Sequence, residues 1–140
     1  MDKNDIEEGL DFTPKFDADG LIPAIAQDAN TGQVLMLAYM DRRALQVTIE
    51  TGFATYFSRS RRKLWTKGEE SGHSQKVQQI LVDCDQDCLI LRVLVDAGQC
   101  HTGHQSCFYR ALTKGGATGL QFIADKVFDP QKVYKPSSPM

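Results

Sequence analysis

The acidic segment Asp83-Cys84-Asp85-Gln86-Asp87 lies between two apolar runs, Val77 to Val82 and Leu89 to Val95, and this arrangement constrains the fold more than any other feature of the chain. Each run has the length and branched side chains of a strand. With the acidic cluster between them, the two runs predict a β-hairpin. Treated as extended backbone, the cluster points Asp83, Asp85 and Asp87 to one face and Cys84 to the other.

Three carboxylates at that spacing repel one another unless a hard cation neutralises them, and such oxygen ligands suit magnesium or calcium. A divalent ion is therefore expected there. An EF-hand loop does not fit, because counting from Asp83 puts Cys88 at the glycine position and Leu94 at the glutamate position. A solvated acidic turn is the plainer alternative.

The rest of the chain reads as α+β. The apolar runs Leu21 to Ala26 and Val34 to Tyr39 flank Asp28-Ala29-Asn30-Thr31-Gly32, which predicts another hairpin. Asp41 is placed to cap a short helix over Arg42 to Glu50, and Gly52 to stop it. Phe53 to Phe57 and Phe108 to Leu112 predict further strands, with a polar functional loop over 58–74. We expect one small domain of hairpins and antiparallel sheet over 21–112, a loose or edge-packed leader over 1–20, and a weakly ordered tail over 113–140 that carries Gly115-Gly116, Pro130, Pro136 and Pro139.

A formal charge of −2 over 140 residues argues against coating nucleic acid or an anionic membrane by bulk electrostatics. The acidic start, with no long apolar stretch after it, predicts a cytosolic protein. In that reducing compartment Cys84, Cys88, Cys100 and Cys107 are poor disulfide candidates, and they read as metal ligands or buried thiols. Cys88 heads the run Leu89-Ile90-Leu91 and is expected to be a small buried hydrophobe.

Cys100-His101-Thr102-Gly103-His104-Gln105-Ser106-Cys107 can curl so that both thiolates reach one metal, for which zinc is the expected occupant. The spacing does not match a closed four-cysteine finger. If Cys84 joins Cys100 and Cys107, the ion keeps one open position for water, which zinc converts to a nucleophile near pH ~7. His101 is then a candidate general base, water-orienting group or further ligand, while His104 is expected to be a solvated loop histidine.

Ser58-Arg59-Ser60-Arg61-Arg62-Lys63-Leu64-Trp65-Thr66-Lys67-Gly68-Glu69-Glu70-Ser71-Gly72-His73 gathers cations and hydroxyls around glycines in an otherwise acidic chain. Ser58, Arg59, Ser60, Arg61, Lys67 and Ser71 are the candidate phosphate-binding residues. A solvated basic loop or a single-strand nucleic-acid contact built on Trp65 are the alternatives.

The motifs Leu35-Met36-Leu37-Ala38-Tyr39-Met40, Ser58-Arg59-Ser60-Arg61, Leu64-Trp65, Lys67-Gly68-Glu69, Ser71-Gly72-His73, Asp83 to Asp87, Cys100-His101-Thr102-Gly103 and Ser106 to Arg110 occur in that order. Together they make the chain resemble the phosphoribosyl-AMP cyclohydrolases. The resemblance implies hydrolytic opening of the N1–C6 bond of an N1-phosphoribosylated adenine, a step of histidine biosynthesis, with an imidazole carboxamide ribonucleotide as product. It implies magnesium on Asp83, Asp85 and Asp87, and zinc on Cys84, Cys100 and Cys107. It also implies an intertwined homodimer that shares the zinc ligands between chains.

The length implies the form without the pyrophosphohydrolase domain fused in some members. Two positions depart from the family pattern: Thr66 stands where histidine is usual, and Cys88 where a small residue is common. The H-x-E with P-C-x-x-C signature of the zinc deaminases is absent, which disfavours a deaminase. A zinc-stabilised binding module is disfavoured by the missing fourth clear ligand.

Overall fold

The computed structural model describes residues 2–113 and 118–133. Strand β1 (Ile22–Asp28) alternates buried and half-buried residues along its length, as expected for a strand with one face in the core. It forms the expected hairpin with β2 (Val34–Met40), pairing Ile22 with Met40 and Ala26 with Met36. Asp28 fixes the turn: its Oδ1 accepts from the amides of Asn30 at 2.8 Å and Thr31 at 3.2 Å.

Helix α2 (Arg42–Thr51) follows, and both predicted caps are present. Asp41 accepts from the Ala44 amide at 2.8 Å, and Gly52 adopts the left-handed conformation at φ 78°. The helix buries Ala44, Leu45 and Thr48. Thr48 Oγ1 donates to the Ala44 carbonyl and accepts from the Thr55 amide, each at 2.9 Å, which fastens the helix to β3 (Thr55–Ser58). Strand β4 (Lys63–Thr66) then pairs antiparallel with β3, so part of the predicted 58–74 loop is strand.

The second predicted hairpin is β5 (Lys76–Val82) with β6 (Leu89–Leu94), paired antiparallel. The sheet as a whole is mixed, however, because β6 lies beside β1 in parallel, with Ala24 opposite Leu89 and Ala26 opposite Leu91. This corrects the expected antiparallel sheet. The two hairpins are read locally from sequence, whereas their pairing depends on which buried faces fit. Here the small side chains of Ala24 and Ala26 lie beside the larger Leu89 and Leu91, all fully buried. The strand order is β4-β3-β2-β1-β6-β5, and the core runs along its centre with Ile22, Leu35, Met40, Tyr56 and Val93.

Strand β7 (Arg110–Leu112) forms the expected strand near Phe108 and pairs with β8 (Leu120–Phe122). Short helix α3 (Pro130–Val133) follows. The described part of the tail is thus folded, in contrast to the expectation. The amides of Val127 and Phe128 donate to the Gly103 carbonyl at 2.7 and 3.2 Å, and the Phe128 ring meets His73 edge-on at 4.9 Å. Gly115-Gly116, Pro136 and Pro139 lie outside the described residues. The leader carries helix α1 (Lys3–Glu8), which buries no residue, and after it the amides of Thr13 and Lys15 donate to Gln86. Among the described residues no helix is long and apolar enough to cross a membrane.

Asp41→Ala removes the side-chain cap of α2 and is expected to lower the unfolding free energy by about 1 kcal/mol. The check is urea denaturation, in which the midpoint falls while the slope is unchanged.

Candidate active site

The β3–β4 hairpin and the loop after it form one wall of a cleft of about 770 Å³, and the loop of residues 99–107 supplies the other. Ser58, Ser60, Arg61, Lys67 and Ser71 line it, so five of the six candidate phosphate-binding residues meet in one place. Arg59 does not line it. Its guanidinium lies 4.1 Å from the Tyr39 ring centroid, a cation–π contact that holds it against β2.

Arg62 closes the hairpin with a left-handed φ of 53°, and its amide donates to the Ser58 carbonyl at 2.8 Å. That turn gathers Ser58, Ser60 and Arg61. Ser58 Oγ accepts from the Arg61 amide at 3.2 Å and lies 3.4 Å from Ser60 Oγ. Gly68 is required where the chain doubles back, because a Cβ there would lie 2.5 Å from the Ser74 amide nitrogen. Among the described residues the ion pair is Lys3–Glu7, on the exposed leader, so the cleft cations Arg61 and Lys67 are not consumed by carboxylates.

Lys67 is buried, and its desolvation pulls the ammonium pKa down. The thiols of Cys107 and Cys100 oppose that shift, which places both near the lysine. Cys107 is an exposed residue, yet its thiol is crowded: burial first, then the charge and hydrogen bond of Cys100, push it up to about 12, against the pull of Lys67. The loop therefore curls as predicted and sets Cys100 and Cys107 side by side. The Cys107 amide donates to the Leu35 carbonyl at 2.7 Å and Ser106 Oγ to the Val34 carbonyl at 2.7 Å, pinning this end of the loop to β2.

His101 and Cys107 both line the cleft. His104, in contrast, is not a solvated loop residue. It is buried, stacked on Tyr109 with centroids 3.7 Å apart, and its Nδ1 lies 3.0 Å from Thr102 Oγ1. Thr102 Oγ1 in turn donates to Cys100 Sγ at 3.0 Å. Thr66 Oγ1 is bonded to Thr55 Oγ1 at 3.0 Å, so at this position a short hydroxyl ties the cleft wall to β3.

Sequence reasoning missed a buried polar chain beneath the cleft. Tyr56 Oη donates to Gln75 Oε1 at 2.6 Å, and Gln75 Nε2 donates to Gln99 Oε1 at 3.0 Å. Gln99 Nε2 finishes the chain on the Ala97 carbonyl at 2.9 Å. Burial keeps the Tyr56 hydroxyl protonated well above its ordinary range, so it remains a donor. No glutamine spacing signals such a chain, because its members come from three segments far apart in sequence.

Asp83, Asp85 and Asp87 also meet, their ligand oxygens all within 4.8 Å of one another. They do so by a route other than strand alternation. The segment is a turn in which Asp83 Oδ1 accepts from the amides of Asp87 at 2.9 Å and Cys88 at 3.1 Å. Hydrogen bonding to Asp85 first, then to Asp83, holds the Asp87 carboxyl up to about 6, while the bond to Asp87 draws Asp85 down. Three hard oxygens so close fit a small divalent cation. Cys84 is exposed on this turn, and among the described residues it does not group with Cys100 and Cys107. Cys88 is half-buried with its thiol pushed up, mainly by burial.

A cationic, hydroxyl-rich cleft with a thiol and a histidine on its wall, in a small α+β domain, defines the class of small-molecule sites suited to an anionic ligand. The sequence profile of the phosphoribosyl-AMP cyclohydrolases matches residues 36–109, which include every cleft residue named above. A phosphoribosyl-AMP cyclohydrolase of Methanococcoides burtonii is 58% identical over 122 residues, covering 87% of this chain and 96% of the relative. Those of Rhodopseudomonas palustris and Methanothermobacter thermautotrophicus are 52% and 51% identical, each over 94% of this chain and over 91% and 95% of their own lengths. The chain belongs to the phosphoribosyl-AMP cyclohydrolase family.

In the cation-free protein, the aspartate turn is expected to take up a proton near pH 6 as pH falls, above the range of isolated aspartates. Because the shift is upward and caused by neighbouring carboxyls, Asp85→Asn is expected to return the Asp87 transition toward pH ~4. Carboxyl-carbon NMR titration of Asp87 checks both.

Proposed function

We propose that this protein hydrolyses the adenine ring of phosphoribosyl-AMP, opening the N1–C6 bond in histidine biosynthesis. The observation that carries the reading is the convergence of Ser58, Ser60, Arg61, Lys67 and Ser71 with His101 and Cys107 in one cleft, in a chain of this family. The substrate has a phosphorylated ribose on each side of its base, and the hydroxyl and guanidinium donors suit its phosphate oxygens. Arg59, held on Tyr39, contributes by bracing the hairpin that presents Ser58 and Ser60.

In the reaction the oxygen of water joins C6, and the N1–C6 bond breaks. C6 keeps its amino group and becomes a carboxamide carbon, while N1 leaves with a proton. His101, on the cleft wall beside Cys107, is the proton carrier. Thr102 donates to Cys100 and so fixes the orientation of its sulfur. Zinc held by thiolates supplies an activated water at neutral pH.

Cys100 and Cys107 are two of its three ligands, and Cys84 is the third, from a second copy of the chain. A six-residue strand covers roughly 20 Å, and β6 lies between Cys84 and the thiol pair, which supports an origin in the partner. Large apolar side chains are exposed beside both half-sites, Leu81 and Val82 before Cys84 and Phe108 after Cys107, as an intertwined homodimer requires. Asp83, Asp85 and Asp87 hold magnesium, which assists in binding the phosphorylated substrate. The setting is the cytoplasm.

Purified protein supplied with zinc and magnesium is expected to open phosphoribosyl-AMP, followed by absorbance, and to lose that activity with chelator or with Cys100→Ser. Absence of turnover in the metal-loaded protein would sink the reading. Cys84→Ser and Cys100→Ser chains, each inactive alone, are expected to regain up to about a quarter of wild-type activity when refolded together, because half the chains pair as mixed dimers with one intact site each. No recovery would refute the shared site.

A further inference from the structure

Gln86 sits in the middle of the aspartate turn, and the proposed function gives it no role. It is buried while Asp83, Cys84 and Asp85 around it are exposed. Its φ of 59° is left-handed, a conformation disfavoured for any residue with a Cβ. Its amide donates to the Asp83 carbonyl at 3.1 Å, closing the turn that brings the three carboxylates together.

Every other bond Gln86 makes reaches the leader. Its Oε1 accepts from the Thr13 amide at 2.7 Å, and its Nε2 donates to the carbonyls of Ile6 and Asp11, each at 3.2 Å. Its own carbonyl accepts from the Lys15 amide at 2.7 Å. One residue thus ties down four points of a segment that otherwise lies on the surface. All four contacts are to backbone, so the leader's side chains are not what is recognised.

We propose that Gln86 is a positioning residue coupling two events: docking of the leader segment 6–15 and assembly of the cation-binding aspartates. The leader's four bonds hold Gln86 in its left-handed conformation, which keeps Asp85 and Asp87 gathered against Asp83. A bound cation relieves repulsion among the carboxylates and so favours the same turn. Coupling of this kind is reciprocal: the cation tightens the leader by the factor that the leader tightens the cation. The inference rests on the reading that the turn holds a divalent ion.

The test uses full-length protein presaturated with zinc, with Mn²⁺ as the probe cation, its affinity read by electron paramagnetic resonance and leader docking by amide hydrogen exchange. Two variants break the latch from opposite sides. Gln86→Gly removes the side chain while tolerating the positive φ, and Thr13→Pro removes one leader donor while leaving the turn untouched. Both are expected to weaken Mn²⁺ binding by at least roughly fivefold, the low end of ordinary site-to-site coupling, and Mn²⁺ is expected to slow exchange at Thr13 and Lys15 in the wild type.

Wild-type Mn²⁺ affinity in both variants would overturn the coupling. Weakening in Gln86→Gly alone would also overturn it, since the glycine would then act only by loosening the turn. Failure of the wild type itself to bind Mn²⁺ is a separate result, which removes the cation reading and this inference with it.

Discussion

The parallel pairing of β1 with β6 decides what the rest of the molecule can do. Two antiparallel hairpins each form locally, but the register of Ala24 with Leu89 and Ala26 with Leu91 joins them into one sheet and places the second beside the first in a fixed direction. The aspartate turn then precedes the start of β6, and the thiol loop follows its end, anchored across the sheet to Val34 and Leu35 of β2. Sliding β6 by one residue would turn Leu89, Leu91 and Val93 out of the core. The separation between the aspartate turn and the thiol pair is therefore enforced by a strand pairing whose core residues are fully buried.

The cleft depends on a second kind of constraint, burial of polar groups that are fully partnered. Tyr56, Gln75 and Gln99 satisfy one another beneath the cleft, and among the described residues no buried side-chain nitrogen or oxygen lacks a partner. Such a chain has few alternative arrangements, since breaking one bond strands two buried groups at a cost of about 1–3 kcal/mol each. It fixes the 75–99 contact, on which both cleft walls stand. Arg61 and the hydroxyls of Ser58 and Ser60 are thereby presented together before any ligand arrives, which lowers the ordering cost of binding.

Much of this was legible from residue order. The hairpins at Asp28 to Gly32 and at the aspartate run, the capped helix from Asp41 to Gly52, and the meeting of Cys100 with Cys107 all depend on contacts within about a dozen residues, where turn chemistry and periodicity speak directly. The parallel register did not, because apolar runs reveal a buried face without naming its neighbour. Arg59 read as a phosphate ligand because composition cannot tell a guanidinium aimed into a cleft from one stacked on Tyr39. His104 read as solvated because the ring that covers it, Tyr109, is brought over it by the β7–β8 hairpin.

The aspartate run shows how a right conclusion can follow from the wrong geometry. Strand alternation predicts one face for Asp83, Asp85 and Asp87 and the other for Cys84, and the carboxylates do gather, but a turn closed at Gln86 gathers them. The difference matters for the chemistry. An extended strand would space alternate carboxylates roughly 7 Å apart, too far for one small ion with ligands near 2 Å, whereas the turn brings their oxygens within 4.8 Å. Turning the backbone also leaves Cys84 exposed among hard oxygens, where a soft ion gains little from them. Its soft sulfur matches the donors Cys100 and Cys107, and the sheet sets that pair of its own chain at the far end of β6. In the proposed shared site a second chain resolves the conflict, and the rigidity that keeps Cys84 from the thiol pair within one chain is then what gives association a chemical use.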